Sequence, residues 1–229
     1  MKKYIIIIYG IAITILIDYL SSFTSKFIGL KSDFFPNSFF KHSTILFLSL
    51  IAILFFKKHV RFKLKIPKLK TLLKPIAFGL LVSFVSGIIM SIALFFSKEN
   101  NTMPISNLTI TQILFFVFIY SSIAEELLFR GFLLNIIRPL RTKKIAVFNK
   151  KISYSVVTSA LMFGLYHIIP INYDKSIIYT IGMLFGPFAL GIVAGYYQEK
   201  YENHIYAIII HMSGNLFGMI GMIVLNFNG

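Results

Sequence analysis

Apolar residues gather in long runs separated by short polar or basic stretches, and the length of the runs sets the first expectation. Tyr4–Ile17 follows Met1-Lys2-Lys3 and looks like the start of a signal peptide. No small-residue cleavage site follows its apolar core and more runs come after, so it reads as an uncleaved first helix, with Asp18 at its far end near the interface. The second run, Ser43–Phe56, is short for a hydrocarbon core of ~30 Å, so Phe39 and Phe40 are expected to extend it. Pro75–Phe96, Leu108–Ile137, Ile152–Ile169 (ended by Pro170), Ser176–Tyr197 and His204–Leu225 follow. The expectation is an all-α, polytopic transmembrane helix bundle of about seven spans, six to eight at the limits, forming one integral membrane domain over 1–229.

The connections carry the charge. Residues 19–42 are polar and aromatic, with Lys26, Lys31 and Lys41, and Phe34-Phe35-Pro36 suits a short interfacial segment. From Lys57 to Lys74 basic and apolar residues alternate, a pattern fit to lie on anionic lipid; Arg138–Lys151 is a second basic loop. Seventeen of the 23 Lys and Arg fall on one side if the N-terminus is cytoplasmic, and five on the other, which predicts an N-inside, C-outside arrangement. Gly182/Gly186, Gly191/Gly195 and Gly214/Gly218 are each four apart and predict close helix packing, and Pro187 a kink.

Composition agrees with a membrane protein: 57% hydrophobic, 14% charged, mean hydropathy +0.80. The absence of cysteine excludes disulfides and thiolate metal sites, and without Trp the interfaces fall to Tyr, Phe and Lys. In such a chain the net charge of +15 reads as the positive-inside bias rather than as nucleic-acid binding.

Against this background Glu125, Glu126 and Arg130 stand out inside the fourth run. A charge at bilayer depth costs at least ~2.5–3.5 kcal/mol, so three together need a reason. On a helix Glu126 and Arg130 can pair, while Glu125 points about 100° away and lacks that partner. Three later polar residues interrupt apolar runs: His167, four after Phe163, and His211, four before Asn215. Counting from the nearest basic or acidic residue at a ~1.5 Å rise puts Glu125, His167, His211 and Asn215 at similar depth, about 14–24 Å from one face. They can converge, with either glutamate facing the others, since turning the helix by one residue exchanges the two.

Glu125-Glu126-x-x-x-Arg130, Phe163-x-x-x-His167 and His211-x-x-x-Asn215, in that order on separate helices, resemble the three motifs of the CPBP (CAAX protease and bacteriocin-processing, Abi) intramembrane proteases. That family includes the CAAX-prenyl endopeptidase and bacterial members tied to bacteriocin processing or self-immunity. The resemblance covers about 108–220 and not the first three runs. It implies a glutamic endopeptidase without cofactor, in which Glu125 and His167 hold a water and His211 and Asn215 stabilise the oxyanion. Glu126 and Arg130 then orient the helix, with Arg130 alternatively binding a substrate carboxylate.

Other readings stay open on the residues alone. Glu125, His167 and His211 are also three zinc ligands with a fourth position for water, although no HExxH pattern occurs. Ser121, Ser122 and Ser213 lie near the motifs but are ordinary helix-packing groups. A non-catalytic immunity or binding protein, or a proton-coupled transporter, would also use buried polar groups. The expected partner is a membrane-associated peptide or protein, with anionic lipid at the basic loops and no nucleic acid. The small size and a residue usage heavy in Lys, Ile, Asn and Phe suit a bacterial cytoplasmic membrane.

Overall fold

A computed structural model describes residues 2–27, 34–97, 108–147, 149–168 and 175–227. Lys31 and Pro170 lie outside the described residues, as do 98–107 of the loop expected over Ser97–Asn107. The described chain is helical nearly throughout: α1 (Lys2–Phe27), α2 (Asn37–Phe55), α3 (Leu69–Ser97), α4 (Ile110–Ile136), α5 (Tyr154–Ile168), α6 (Ile177–Tyr201) and α7 (Ile205–Phe227). Five of them, α1 to α4 and α6, are long and apolar enough to cross a membrane, and α5 and α7 contribute shorter apolar helices. The polytopic all-α bundle expected from the runs is the observed architecture. At 15 residues α5 is only about 22 Å long, shorter than a hydrocarbon core.

Helix α3 begins at Leu69, before the expected Pro75, and α6 ends at Tyr201, past the expected Tyr197; three further features differ from expectation. Helix α1 does not stop at Ile17 but continues through Asp18 to Phe27. Its polar residues are tolerated because their hydroxyls turn back to helix carbonyls: Thr14 to Gly10 (2.9 Å), Ser21 to Asp18 (2.7 Å) and Thr24 to Ser21 (2.8 Å). Asp18 is therefore inside a helix, half-buried, rather than at its end. Second, the loop after α4 folds into a 3-10 turn over Arg138–Thr142 and a two-stranded antiparallel hairpin, β1 (Lys144–Val147) with β2 (Lys150–Ser153), so α5 begins at Tyr154 rather than Ile152. Third, the basic segment after α2 does not only run alongside the bundle. It is clipped to the α6–α7 turn: Lys65 N–H donates to Asn203 Oδ1 (3.2 Å), Asn203 Nδ2 to the Lys65 carbonyl (2.6 Å) and His204 N–H to the Lys63 carbonyl (3.0 Å). Glu202, in a left-handed conformation (φ 47°), pairs with Lys63 at 3.3 Å, which holds its carboxyl below the usual range.

Helix α4 is the axis of the bundle. Thr109 and Gln112 form a reciprocal capping box at its start. Two π-helical segments, Ile113–Tyr120 and Leu127–Leu133, flank one α-helical stretch, Ser121–Glu126, that carries both glutamates. Such widened turns shift the hydrogen-bond ladder and leave carbonyls for other donors. Ser159 Oγ takes the Phe129 carbonyl (2.8 Å), Gln198 Nε2 that of Arg130 (2.7 Å), and Asn135 Nδ2 those of Arg130 and Gly131 (2.9 Å each). Backbone freed at bilayer depth is thus satisfied by side chains from α4, α5 and α6.

The glycine pairs mostly do what their spacing predicts. Gly182 and Gly186 let α6 approach α3 at Met90, Ala93 and Ser86, and Gly195 lets it approach α5 at Val156. Gly214 faces Leu190, whereas among the described residues a Cβ on Gly218 would meet nothing within 4 Å. Pro187 lies inside α6 as placed by the sequence.

Candidate active site

Sequence reasoning places Glu125, His167, His211 and Asn215 at one depth, and α4, α5 and α7 bring them together. Glu125 Oε2 is 3.8 Å from His167 Nε2 and 3.8 Å from His211 Nε2. Both gaps exceed a direct hydrogen bond. The far nitrogens of the two rings are engaged. His167 Nδ1 meets the Phe163 carbonyl at 2.8 Å, and a carbonyl only accepts, so Nδ1 carries the proton. His211 Nδ1 meets Glu126 Oε1 at 2.9 Å and donates to that carboxylate. The Nε2 atoms of both rings are therefore the ones turned to Glu125.

Which glutamate faces the cluster is settled by burial and partners. Glu126 and Arg130 are both 0% exposed and joined at 2.9 Å through Nη1 and Oε1, the oxygen that also accepts from His211. Glu125 lines a chamber of about 1280 Å³ between α2, α3, α4, α6 and α7, together with His167, His211 and Asn215. Arg130, closed off by its own packing, does not reach that chamber, so the alternative that it binds a substrate carboxylate is set aside. Its guanidinium lies 4.2 Å over the Phe163 ring, whose edges also meet His167 and His211 at centroid distances of 4.6 and 5.3 Å. Phe163 thereby packs between the buried cation and both imidazoles.

Asn215 sits at the chamber wall with Nδ2 donating to Ser122 Oγ at 3.2 Å, and among the described residues its second amide hydrogen and its oxygen have no other partner. The serines are occupied locally: Ser121, Ser122 and Ser213 donate to the Val117, Phe118 and Ile209 carbonyls of their own helices. A hydroxyl hydrogen spent on a helix carbonyl is not poised beside a base, and the serine reading finds no support in this geometry.

One neighbour of Glu125 was missed. His42 of α2 places Nε2 at 3.1 Å from Glu125 Oε1, and both residues are buried. In sequence it stands beside Lys41 at the polar end of a short apolar run, and no spacing links it to a motif 83 residues later.

Residues 107–217 match the protein family described as type II CAAX prenyl endopeptidase Rce1-like. That segment is similar to the family. It contains all three motifs and stops short of α1, α2 and α3, so His42 lies outside it. Comparison with curated proteins and with solved structures finds no match to either. Several long apolar helices make the chain an integral membrane protein, and the segment over 107–217 makes it similar to CAAX-type proteases.

Proposed function

We propose that the protein is an intramembrane endopeptidase of the glutamic type, with Glu125 as general base. The observation that carries this reading is the convergence of Glu125 Oε2, His167 Nε2 and His211 Nε2 at 3.8 Å spacing on the wall of a large chamber. A water between Glu125 and His167 loses a proton to Glu125 as its oxygen attacks the scissile carbonyl carbon. The carbonyl oxygen becomes an oxyanion and accepts from His211 Nε2–H and the free Asn215 amide hydrogen. When the tetrahedral species collapses, the C–N bond breaks and the proton held by Glu125 passes to the departing amine.

The donor role requires His211 to carry a proton on both nitrogens, because its Nδ1–H already serves Glu126. A zinc centre built on the same three residues is the second mechanistic reading.

The proposed substrate is a membrane-associated peptide or protein whose apolar part enters the chamber from the bilayer. Maturation of a bacteriocin or signalling peptide, or self-immunity against one, in a bacterial cytoplasmic membrane fits that class, with anionic lipid held by the exposed basic loops. Membrane peptidomics of cells carrying wild type or Glu125→Gln tests this: peptides must appear as cleaved forms only with wild type. Immunity or binding that survives Glu125→Gln would instead favour a non-catalytic protein.

A further inference from the structure

His42 belongs to a helix outside the family-matched segment, and none of the three motifs accounts for it. It is one of four consecutive residues that fasten α2 to different parts of the bundle. Lys41 Nζ lies 4.1 Å over the Tyr166 ring of α5. His42 meets Glu125 at 3.1 Å. Ser43 Oγ and Tyr120 Oη of α4 are 2.8 Å apart, and Thr44 Oγ1 and Thr24 Oγ1 of α1 are 2.9 Å apart. The ring is thus aimed by a backbone held from three sides.

The hydrogen-bond chemistry fixes the form of the ring. An ionised Glu125 only accepts, so His42 Nε2 donates. Among the described residues His42 Nδ1 is buried without a partner. A second proton there would leave a charged N–H with no acceptor, whereas a neutral ring leaves only an unmatched lone pair, the smaller penalty. His42 is therefore a neutral donor bound to Oε1, while Oε2 alone faces the two other imidazoles.

We infer that His42 is a positioning residue for Glu125: it occupies Oε1 and so presents Oε2 to the water-binding corner formed with His167 and His211. Without it the carboxylate turns about its last bond and presents either oxygen, or swings into the chamber. The inference rests on the peptidase reading for its kinetic consequence but not for the contact itself. Helix α2 thereby completes a site whose motifs all lie in the second half of the chain.

The experiment uses the full chain reconstituted in lipid vesicles and has two arms. In the first, magic-angle-spinning NMR with labelled histidine and glutamate reads the His42–Glu125 pair directly. The expected result is a neutral His42 protonated on Nε2 with a dipolar contact from Nε2 to the Glu125 carboxyl carbon. Protonation on Nδ1, or no contact, overturns the inference. In the second, cleavage of a quenched fluorogenic peptide ending in a farnesylated CAAX sequence is followed in His42→Phe and His42→Gln. The glutamine amide nitrogen can stand where Nε2 stands and does not titrate. His42→Phe should lower kcat by about tenfold or more with KM within about twofold, and His42→Gln should keep kcat within about threefold. Wild-type kcat in both variants, or an equal loss in both with melting temperatures unchanged, overturns the inference. Failure of wild type to cleave strikes at a prenylated CAAX substrate for the peptidase reading, and the NMR arm still decides whether His42 holds Glu125.

Discussion

Gly191 of α6 leaves the space that the Arg130 guanidinium fills. A Cβ at Gly191 would lie 2.7 Å from Arg130 Nη2 and 2.9 Å from the Cα of Ala160, the second of which is backbone and cannot move aside freely. The cation at the centre of the bundle and the glycine beside it are one design. Gly191→Ala should therefore cost about 1–3 kcal/mol, as overpacking does, and displace Arg130 from Glu126. Gly87→Ala is the control, because a Cβ there meets nothing within 4 Å, and should be neutral or stabilising by up to about 1 kcal/mol. Thermal unfolding in micelles, followed by circular dichroism, checks both.

The two adjacent glutamates should separate into stability and activity. Arg130→Ala leaves the Glu126 carboxylate buried with His211 as its one partner among the described residues, and should destabilise by about 3–5 kcal/mol. Glu125→Gln keeps an acceptor for His42 and sits on the chamber wall, so its melting temperature should stay close to wild type while cleavage is lost. If instead Glu125→Gln unfolds the protein and Arg130→Ala does not, the roles are reversed.

This division was only half legible in the sequence. The Glu126–Arg130 pair follows from the i,i+4 spacing, and the shared depth of Glu125, His167, His211 and Asn215 follows from counting residues along apolar runs. Which glutamate faced the others did not follow, because a 3.6-residue wheel cannot be carried through α4. Its two π-helical segments change the angle per residue on both sides of Glu125. His42 was hidden for a different reason: a tertiary contact between helices 83 residues apart leaves no local signature. The β1–β2 hairpin was hidden by its lysines, which read as loop, and the extent of α1 by Asp18, which read as an end.

The α6–α7 turn should hold the basic segment chiefly through Asn203. Asn203 bonds both the N–H and the carbonyl of Lys65 and accepts from Ile205 N–H at 3.3 Å. Asn203→Ala should release about 1–3 kcal/mol of local stability and expose the segment. Limited trypsin digestion should then cut after Lys63 and Lys65 faster than in wild type; an unchanged digestion pattern would show that the clip does not hold the segment.

Acid should loosen the same turn through His204. Burial lowers its pKa from the usual 6.5 to about 4, and its Nδ1–H donates to Gln198 Oε1 at 3.0 Å, the amide that also supports the Arg130 carbonyl. The unfolded chain protonates this ring below about 6.5 and the fold only near 4. The stability is thus complete above that upper value and drains as pH falls through the window, by about 2 kcal/mol at pH ~5. His204→Asn keeps the donor and cannot titrate, so its melting temperature should fall less than that of wild type between about pH 7.5 and about pH 5. Equal falls in both would remove His204 from the account.

The central claim is that Glu125 is the working carboxylate of a membrane peptidase, and one comparison tests it most directly. Peptides released from membranes of cells carrying wild type are compared by mass spectrometry with those from cells carrying Glu125→Gln at equal abundance. The account predicts a defined set of cleavage products present with wild type and absent with Glu125→Gln. The same products at the same levels in both would contradict it.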